Sequence, residues 1–397
     1  MYTCKHFGRC GGCSYLDIPY SQELAQKETS LCEILDPYGS LLEGIIPAPN
    51  QKGYRNKMEL AFGDEGKDGN LNLGIRNRRS FYEVATVEEC ELIPSDFKQI
   101  AIQVQDYFRE TGESFFHRKR YTGNLRHLVL RRGEFTGEVL ICLSTTSKLE
   151  SELAPLVTRL LELNLNGKII GILHSINDGV ADVVKDDNIR VLWGKDHFLE
   201  RICGLSFTVS AFSFFQTNSA GAEVLYGVVR DMAIQASAGL SSSPGLAYDL
   251  YCGTGTIAQV LSPSFHKVIG IELNPSAIKA AQENVKLNSI INCEFFAGDV
   301  LEILENERGI SSNLQAANPD VVVVDPPRSG LHPKALAKLI ALSPPNIVYV
   351  ACKPESLARD MAAFVEAGYE PTRVVGVDMF PRTPHVEAVA LIQRTHI

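Results

Sequence analysis

The sequence predicts an α/β protein: a doubly wound, Rossmann-like parallel sheet in its C-terminal half, joined to a β-rich N-terminal and central region. Three observations carry this. Beyond residue 219, short apolar runs alternate with amphipathic helix-like stretches; a glycine turn, Cys252-Gly253-Thr254-Gly255, follows the apolar run 245–250; and residues 51–200 hold short runs rich in β-branched and aromatic side chains.

The C-terminal elements follow in order. An amphipathic helix over 219–236 and a small-residue loop over 237–244 lead into the strand before the glycine turn, and 257–261 continues as helix. Then come strand 267–271, helix 275–288, strands 293–297 and 320–324, helix 332–342, strand 346–350, helix 354–366, and a final pair near 370–378 and 386–393. In such sheets ligands bind at the carboxyl ends of the strands.

With 397 residues, 45% hydrophobic and 21% charged, the chain divides naturally in two, at 1–200 and 205–397. No apolar run is long enough to span a bilayer, and the first residues lack a signal-peptide core, so a cytoplasmic protein is expected. The net charge of −9 argues against a nucleic-acid partner on average, but binding depends on local fields. Ten cysteines in a reducing compartment point to ligands or catalysts rather than disulfides.

Four cysteines read as ligands. Cys4, Cys10 and Cys13 form a C-x5-C-x2-C pattern in a glycine-rich start, and Cys90 is the nearest fourth. Cys32, on a helix over 20–35, reads as a small buried apolar residue. Four thiolates suit zinc or an iron–sulfur cluster, and their number favours a closed, structural site. Unrelated reduced cysteines are the bland alternative.

In the central region, runs 71–75, 81–84, 127–130, 137–142 and 168–173 read as strands joined mostly by hairpins. Basic residues cluster beside aromatic ones: Arg118, Lys119, Arg120, Tyr121, Arg126, Arg131 and Arg132; Lys52, Tyr54, Arg55 and Lys57; Arg76, Arg78 and Arg79. On an acidic chain these islands suggest a surface for phosphates and unpaired bases, against the plain alternative of a solvated basic face.

The glycine turn lets backbone approach a ligand, and Glu272 closes the next strand where a carboxylate would meet a ribose. Gly253-x-Gly255-x-x-Ala258 also fits a nicotinamide fingerprint, or a glycine turn without ligand. Asp325-Pro326-Pro327-Arg328 displays an acid and a rigid turn at the end of another strand. Cys352 ends a third strand just before a helix start at Pro354-Glu355, where the helix dipole favours a thiolate, which marks it as nucleophile. The closing hairpin brings Glu387 back towards the same rim as a base.

Taken together, Phe214-Phe-Gln216-Thr-Asn218, Asp249-Leu-Tyr-Cys-Gly-Thr-Gly255, Asp325-Pro-Pro-Arg-Ser-Gly330, Val350-Ala-Cys352-Lys-Pro354 and His385-Val-Glu387 resemble the RNA 5-methyluridine methyltransferase family over nearly the whole chain. The resemblance implies a class I methyltransferase sheet, S-adenosylmethionine as cofactor and a uracil in RNA as substrate. Gln216, Tyr251, Gly253, Gly255, Thr256, Glu272 and Asp299 would lie around the cofactor, with Asp325 holding the cofactor or the target base. The N-terminal cysteines and Cys90 are similar to the four that hold a 4Fe–4S cluster in the ribosomal RNA branch, which implies 23S ribosomal RNA as substrate; the transfer RNA branch, typically without the cysteines, is the alternative. A monomer is expected.

Two features bear on this. The family's usual Ser-Cys-Asn-Pro is Ala351-Cys352-Lys353-Pro354 here, so Lys353 becomes a candidate to lower the thiol pKa or meet a phosphate. The sequence opens on the cysteine cluster without a preceding small RNA-binding barrel, which resembles the shorter ribosomal RNA enzymes. The implied chemistry is addition of Cys352 to uracil C6, methylation at C5, and removal of the C5 proton by Glu387. A nicotinamide-dependent oxidoreductase has no use for a cysteine paired with a carboxylate, and a non-catalytic RNA-binding protein leaves Gln216, Asp325 and Glu387 without purpose.

Overall fold

The computed structural model describes residues 4–395 apart from 67–68, 81, 118, 180–187, 239–244 and 301–318. The loop read over 237–244 lies mostly outside the described residues, as do Arg118 and the start of the strand read over 81–84. The N-terminal half runs α1 (Tyr20–Ile34), β1 (Leu42–Ile46), β2 (Lys57–Asp64), β3 (Leu71–Arg76), β4 (Val84–Thr86), α2 (Ser95–Thr111), β5 (Leu125–Arg132), β6 (Glu138–Thr145), α3 (Ala154–Leu161), β7 (Lys168–Ile176) and β8 (Ile189–Gly194). An antiparallel ribbon of β9 (His197–Ile202) and β10 (Leu205–Ser210) leads into the second half.

There the order is α4 (Ser219–Ser237), β11 (Leu246–Leu250), α5 (Thr256–Leu261), β12 (Lys267–Glu272), α6 (Pro275–Leu287), β13 (Cys293–Ala297), β14 (Val321–Val324), α7 (Pro333–Leu342), β15 (Asn346–Ala351), α8 (Pro354–Glu366), β16 (Tyr369–Val377) and β17 (Glu387–Arg394). The expected α/β alternation is present. The sheet order is β1-β16-β17-β15-β14-β11-β12-β13, with β17 antiparallel to both of its neighbours and the other pairs parallel.

Strand periodicity explains the two-sided burial. Val321 and Val323 face one core with Leu225 and Met232 of α4 and Ile257 of α5, while Val322 and Val324 face another with Leu339 of α7 and Phe364 of α8. Local chemistry starts the helices: Asn218 caps α4 by accepting the Gly221 N–H, and Asn274 caps α6 ahead of Pro275.

The N-terminal segment takes part in this layer. β1 pairs with β16, and Leu31 of α1 packs into the same core as α8. Cys32 is exposed, contrary to its reading as a buried residue, because the buried stripe of α1 runs through Glu23, Lys27 and Leu31.

The other sheet has the order β4-β3-β2-β5-β6-β7-β8. Hairpins do not account for all of it. β6 and β7 are parallel through the crossover helix α3, and α2 buries Phe97, Ile100, Ala101, Val104 and Phe108 at helical spacing before Gly112 ends it at φ 72°. Among the described residues no helix is long and apolar enough to cross a membrane.

Candidate active site

Register alignment gathers the strand-end residues at one rim. Leu250 pairs with Ile271 and Val324, Val324 with Tyr349, and Ala351 with Ala388. The next residues outward are therefore Tyr251, Glu272, Asp325 and Cys352, and Glu387 stands one step beyond Ala388 in its antiparallel strand.

The glycine turn is built for close approach. Tyr251, Gly253 and Gly255 take φ values of 65°, 53° and 75°, left-handed conformations that cost a tyrosine most. A Cβ on Gly255 would meet the Phe295 ring at 2.6 Å, whereas the corresponding position on Gly253 faces open space. Glu272 fastens the turn by accepting the Gly253 N–H at 3.2 Å, and buried Asp249 accepts the Ala258 N–H at 2.8 Å. Thr256 opens α5 and is buried.

The Tyr251 phenol is pushed up to about 12 by burial, then by the charges of Asp299, Asp360 and Glu272. The segment before α4 is tied elsewhere: the Gln216 carbonyl accepts from Asn56 Nδ2 at 3.0 Å, and Asn218 Nδ2 donates to Met379 O at 2.9 Å. The Oδ1 atom of Asp249 is buried and accepts no hydrogen bond.

Charge around Cys352 differs from expectation. Its thiol is raised to about 11 by burial, then by Glu387 and Asp325, so helix-start polarity does not prevail. The opposing cation is Arg328; Lys353, put forward for this task from the sequence, is the N-cap residue of α8. Burial lifts Asp325 to about 7 and Glu387 to about 8, the latter helped by Asp325 and opposed by Arg328.

Tyr226 escaped the sequence reading. It is a buried phenol on α4, raised well above its usual value by burial and by Asp325, Asp249 and Glu387. A tyrosine on the apolar stripe of a helix reads as core, and only the electrostatic influence of three acids from other elements distinguishes it.

Cys4, Cys10, Cys13 and Cys90 line one cavity together with His6, Phe7 and Leu92. Burial, then the other cysteines, raises the Cys13 thiol to about 12, and Gly12 N–H donates to Cys10 Sγ at 3.3 Å. Among the described residues no three His, Cys, Asp or Glu side chains are arranged as a metal shell. The four thiols thus share a cavity without forming a coordination sphere.

The basic islands divide. Arg126 donates to Asn177 O and Gly179 O from a buried position, buried Arg131 donates to Ser210 O and Ser213 O, and Arg132 pairs with Asp96 and Glu134. These fasten loops, and Arg126 and Arg131 are buried away from the surface expected to meet phosphate. Lys119, Arg120 and Tyr121 remain exposed.

A sequence model of the tRNA (Uracil-5-)-methyltransferase family matches residues 202–395. An uncharacterized RNA methyltransferase of Clostridium tetani is 43% identical over 98% of this chain and 83% of its own length. One of Clostridium acetobutylicum is 42% identical over the same shares. The chain belongs to the RNA uracil-5 methyltransferase family. Among solved structures it is similar to the Pyrococcus abyssi tRNA (uracil-54, C5)-methyltransferase in complex with S-adenosyl-L-homocysteine, at 30% identity and a TM-score of 0.76, covering 97% of this chain and 86% of that one. Membership of this family supports S-adenosylmethionine as the cofactor, and the nicotinamide and non-enzymatic readings fall away.

Proposed function

We propose that this RNA methyltransferase forms 5-methyluridine through a transient bond between Cys352 and uracil C6. The supporting observation is the shared rim of Cys352, Asp325 and Glu387 beside the glycine turn. Uracil C5 is too weak a nucleophile to take a methyl group unaided. When bound, S-adenosylmethionine supplies that group as a sulfonium with a good leaving group.

Cys352 adds as thiolate to C6 and drives electron density to C5, which forms its new bond to methyl. Glu387 then takes the remaining C5 proton, the C5–C6 double bond re-forms, and the thiolate leaves. Asp325 orients the base or the cofactor at the same edge. Tyr251, Gly253, Gly255, Thr256, Glu272, Asp299 and Gln216 hold the cofactor, and the open space at Gly253 admits it. Since the ring must be reached from face and edge, the nucleotide leaves its stack.

The cysteine set favours 23S ribosomal RNA as substrate and Cys4, Cys10, Cys13 and Cys90 as holders of a 4Fe–4S cluster. Their donor chemistry fits: four soft sulfurs line one cavity, where Cys90, Cys10 and Cys4 add to the burial that raises the Cys13 thiol, and a shared cation would relieve that repulsion. Its role would be structural. The second reading, a transfer RNA substrate, draws on the Pyrococcus neighbour. Nucleoside mass spectrometry of ribosomal and transfer RNA from a deletion strain tests both: loss of one 5-methyluridine from 23S RNA supports the first, loss from transfer RNA the second, and no loss from either overturns the substrate assignment.

A further inference from the structure

The loop that joins β16 to β17 delivers Glu387, and groups from outside its own hairpin fasten its backbone residue by residue. Asp378 N–H donates to Ile46 O at 3.0 Å, Asn218 Nδ2 to Met379 O at 2.9 Å, Lys27 Nζ to Phe380 O at 3.3 Å, and the Tyr54 hydroxyl to Pro381 O at 2.9 Å. The Arg382 carbonyl accepts from Ser14 N–H at 2.7 Å and Tyr15 N–H at 3.3 Å.

Arg382 is the centre of this fastening. Its φ of 70° is a left-handed conformation that a long side chain adopts only where its surroundings over-determine it. Glu23 does so by taking both the backbone N–H, at 2.7 Å, and guanidinium Nη1, at 3.3 Å. Nη1 also donates to Ile18 O at 3.2 Å, and the guanidinium lies 5.7 Å from the Tyr20 ring centre.

Behind it, fully buried Glu23 pairs with Lys27 at 2.8 Å, and Lys27 with Asp378 at 2.8 Å, which in turn accepts the Tyr20 hydroxyl at 2.7 Å. Two cations and two anions thus cancel in a site nearly closed to water. Buried ion networks of this kind stabilise little against an apolar core but specify one geometry, because any displacement leaves a charge unpaired.

We propose that Arg382 is a positioning residue that sets the reach of Glu387 and couples it to the cysteine-bearing N-terminal segment. The coupling runs from Arg382 O to Ser14, next in sequence to Cys13, and from the guanidinium to α1. The inference rests on Glu387 acting as the C5 base. A misplaced carboxylate slows only the last proton removal, since cysteine addition and methyl transfer precede it. A displacement near 1 Å costs about a hundredfold in such steps.

The test compares Arg382→Gly with wild type and Arg382→Lys. Glycine adopts the same φ freely, so Arg382→Gly removes the guanidinium without new backbone strain. The expected result is a kcat lowered about tenfold or more, a KM for RNA that falls with it so that kcat/KM stays near wild type, unchanged S-adenosylhomocysteine affinity, and a methylated protein–RNA adduct that survives denaturation. Arg382→Lys should recover part of kcat. Glu23→Gln should repeat the pattern from the other side of the pair.

Wild-type kcat without adduct in Arg382→Gly would overturn the proposal. So would a loss of S-adenosylhomocysteine binding in parallel with activity and no adduct, the signature of a merely structural residue. Glu387→Gln run alongside separates the two assignments: full turnover there retires the base itself, whatever Arg382 does.

Discussion

Cys352 and Glu387 lie one residue beyond the Ala351–Ala388 pair of β15 and β17, so nucleophile and carboxylate face each other across an antiparallel ladder. Adjacent strands stand roughly 5 Å apart, so both side chains leave the sheet at one edge, within reach of a single pyrimidine ring lying over it. In the free protein the arrangement keeps both groups protonated near neutrality: the thiol sits at about 11 and the carboxyl at about 8.

That relationship predicts thiol reactivity. Glu387 is the first side-chain charge that raises the Cys352 thiol, after burial. Glu387→Gln should therefore speed iodoacetamide alkylation of Cys352 at pH 9, where the native carboxylate is charged, by roughly threefold or more. Peptide mass spectrometry reads the rate; an unchanged rate contradicts the electrostatic contact.

Activity should depend on pH through the same carboxyl. A base must be ionised, and Glu387 loses its proton at about 8 in the free enzyme. Where proton removal limits turnover, kcat should rise about tenfold per pH unit while the carboxyl is protonated and level off once it is ionised. A flat profile from pH 6 to 9 would remove Glu387 from the rate-determining protonation.

Stability should run the other way. Folding raises Asp249 well above the ordinary carboxylate range, Asp325 to about 7 and Glu387 to about 8, in each case chiefly through burial. Between the usual range and those values the native state binds more protons than the unfolded chain, so the stability these groups contribute is complete in acid and lost as pH climbs through about 8. Thermal midpoints of the ligand-free protein, measured from pH 5 to 8.5, should fall across the window. Asp325→Asn should flatten the decline.

The two glycines of the turn should fail differently. Gly255→Ala drives a Cβ to 2.6 Å from the Phe295 ring at a positive φ and should cost about 1–3 kcal/mol of stability along with cofactor binding. Gly253→Ala meets no atom within 4 Å, so its stability loss should stay near 1 kcal/mol while S-adenosylhomocysteine affinity falls. Paired thermal melts and calorimetric titrations check the contrast.

The cysteine cavity predicts metal content. Protein purified without oxygen should hold about four iron and four sulfide per chain, and Cys90→Ser should lower both. Zinc in their place would keep the closed site but reject the cluster.

Much of the parallel sheet was legible because its strands are continuous apolar runs ending in motif residues, as in Val321–Val324 before Asp325. The hairpin carrying Glu387 was legible for the same reason. α2 went unread although Phe97, Ile100, Val104 and Phe108 follow a helical period, since surrounding strand-like runs set the pattern for the region. Tyr226 and Arg382 were not legible: each derives its place from partners on distant elements, and neither sits in a spacing that announces it. Charge misled in a similar way at Arg126 and Arg131, where a basic run turned out to be spent on carbonyls inside the fold.

The most direct measurement is the intact mass of Glu387→Gln after incubation with S-adenosylmethionine and substrate RNA, followed by denaturation and nuclease digestion. A species carrying one methylated pyrimidine nucleotide on the peptide that contains Cys352, absent in Cys352→Ala, is the predicted result. Free 5-methyluridine produced at the wild-type rate with no such peptide would contradict the covalent route.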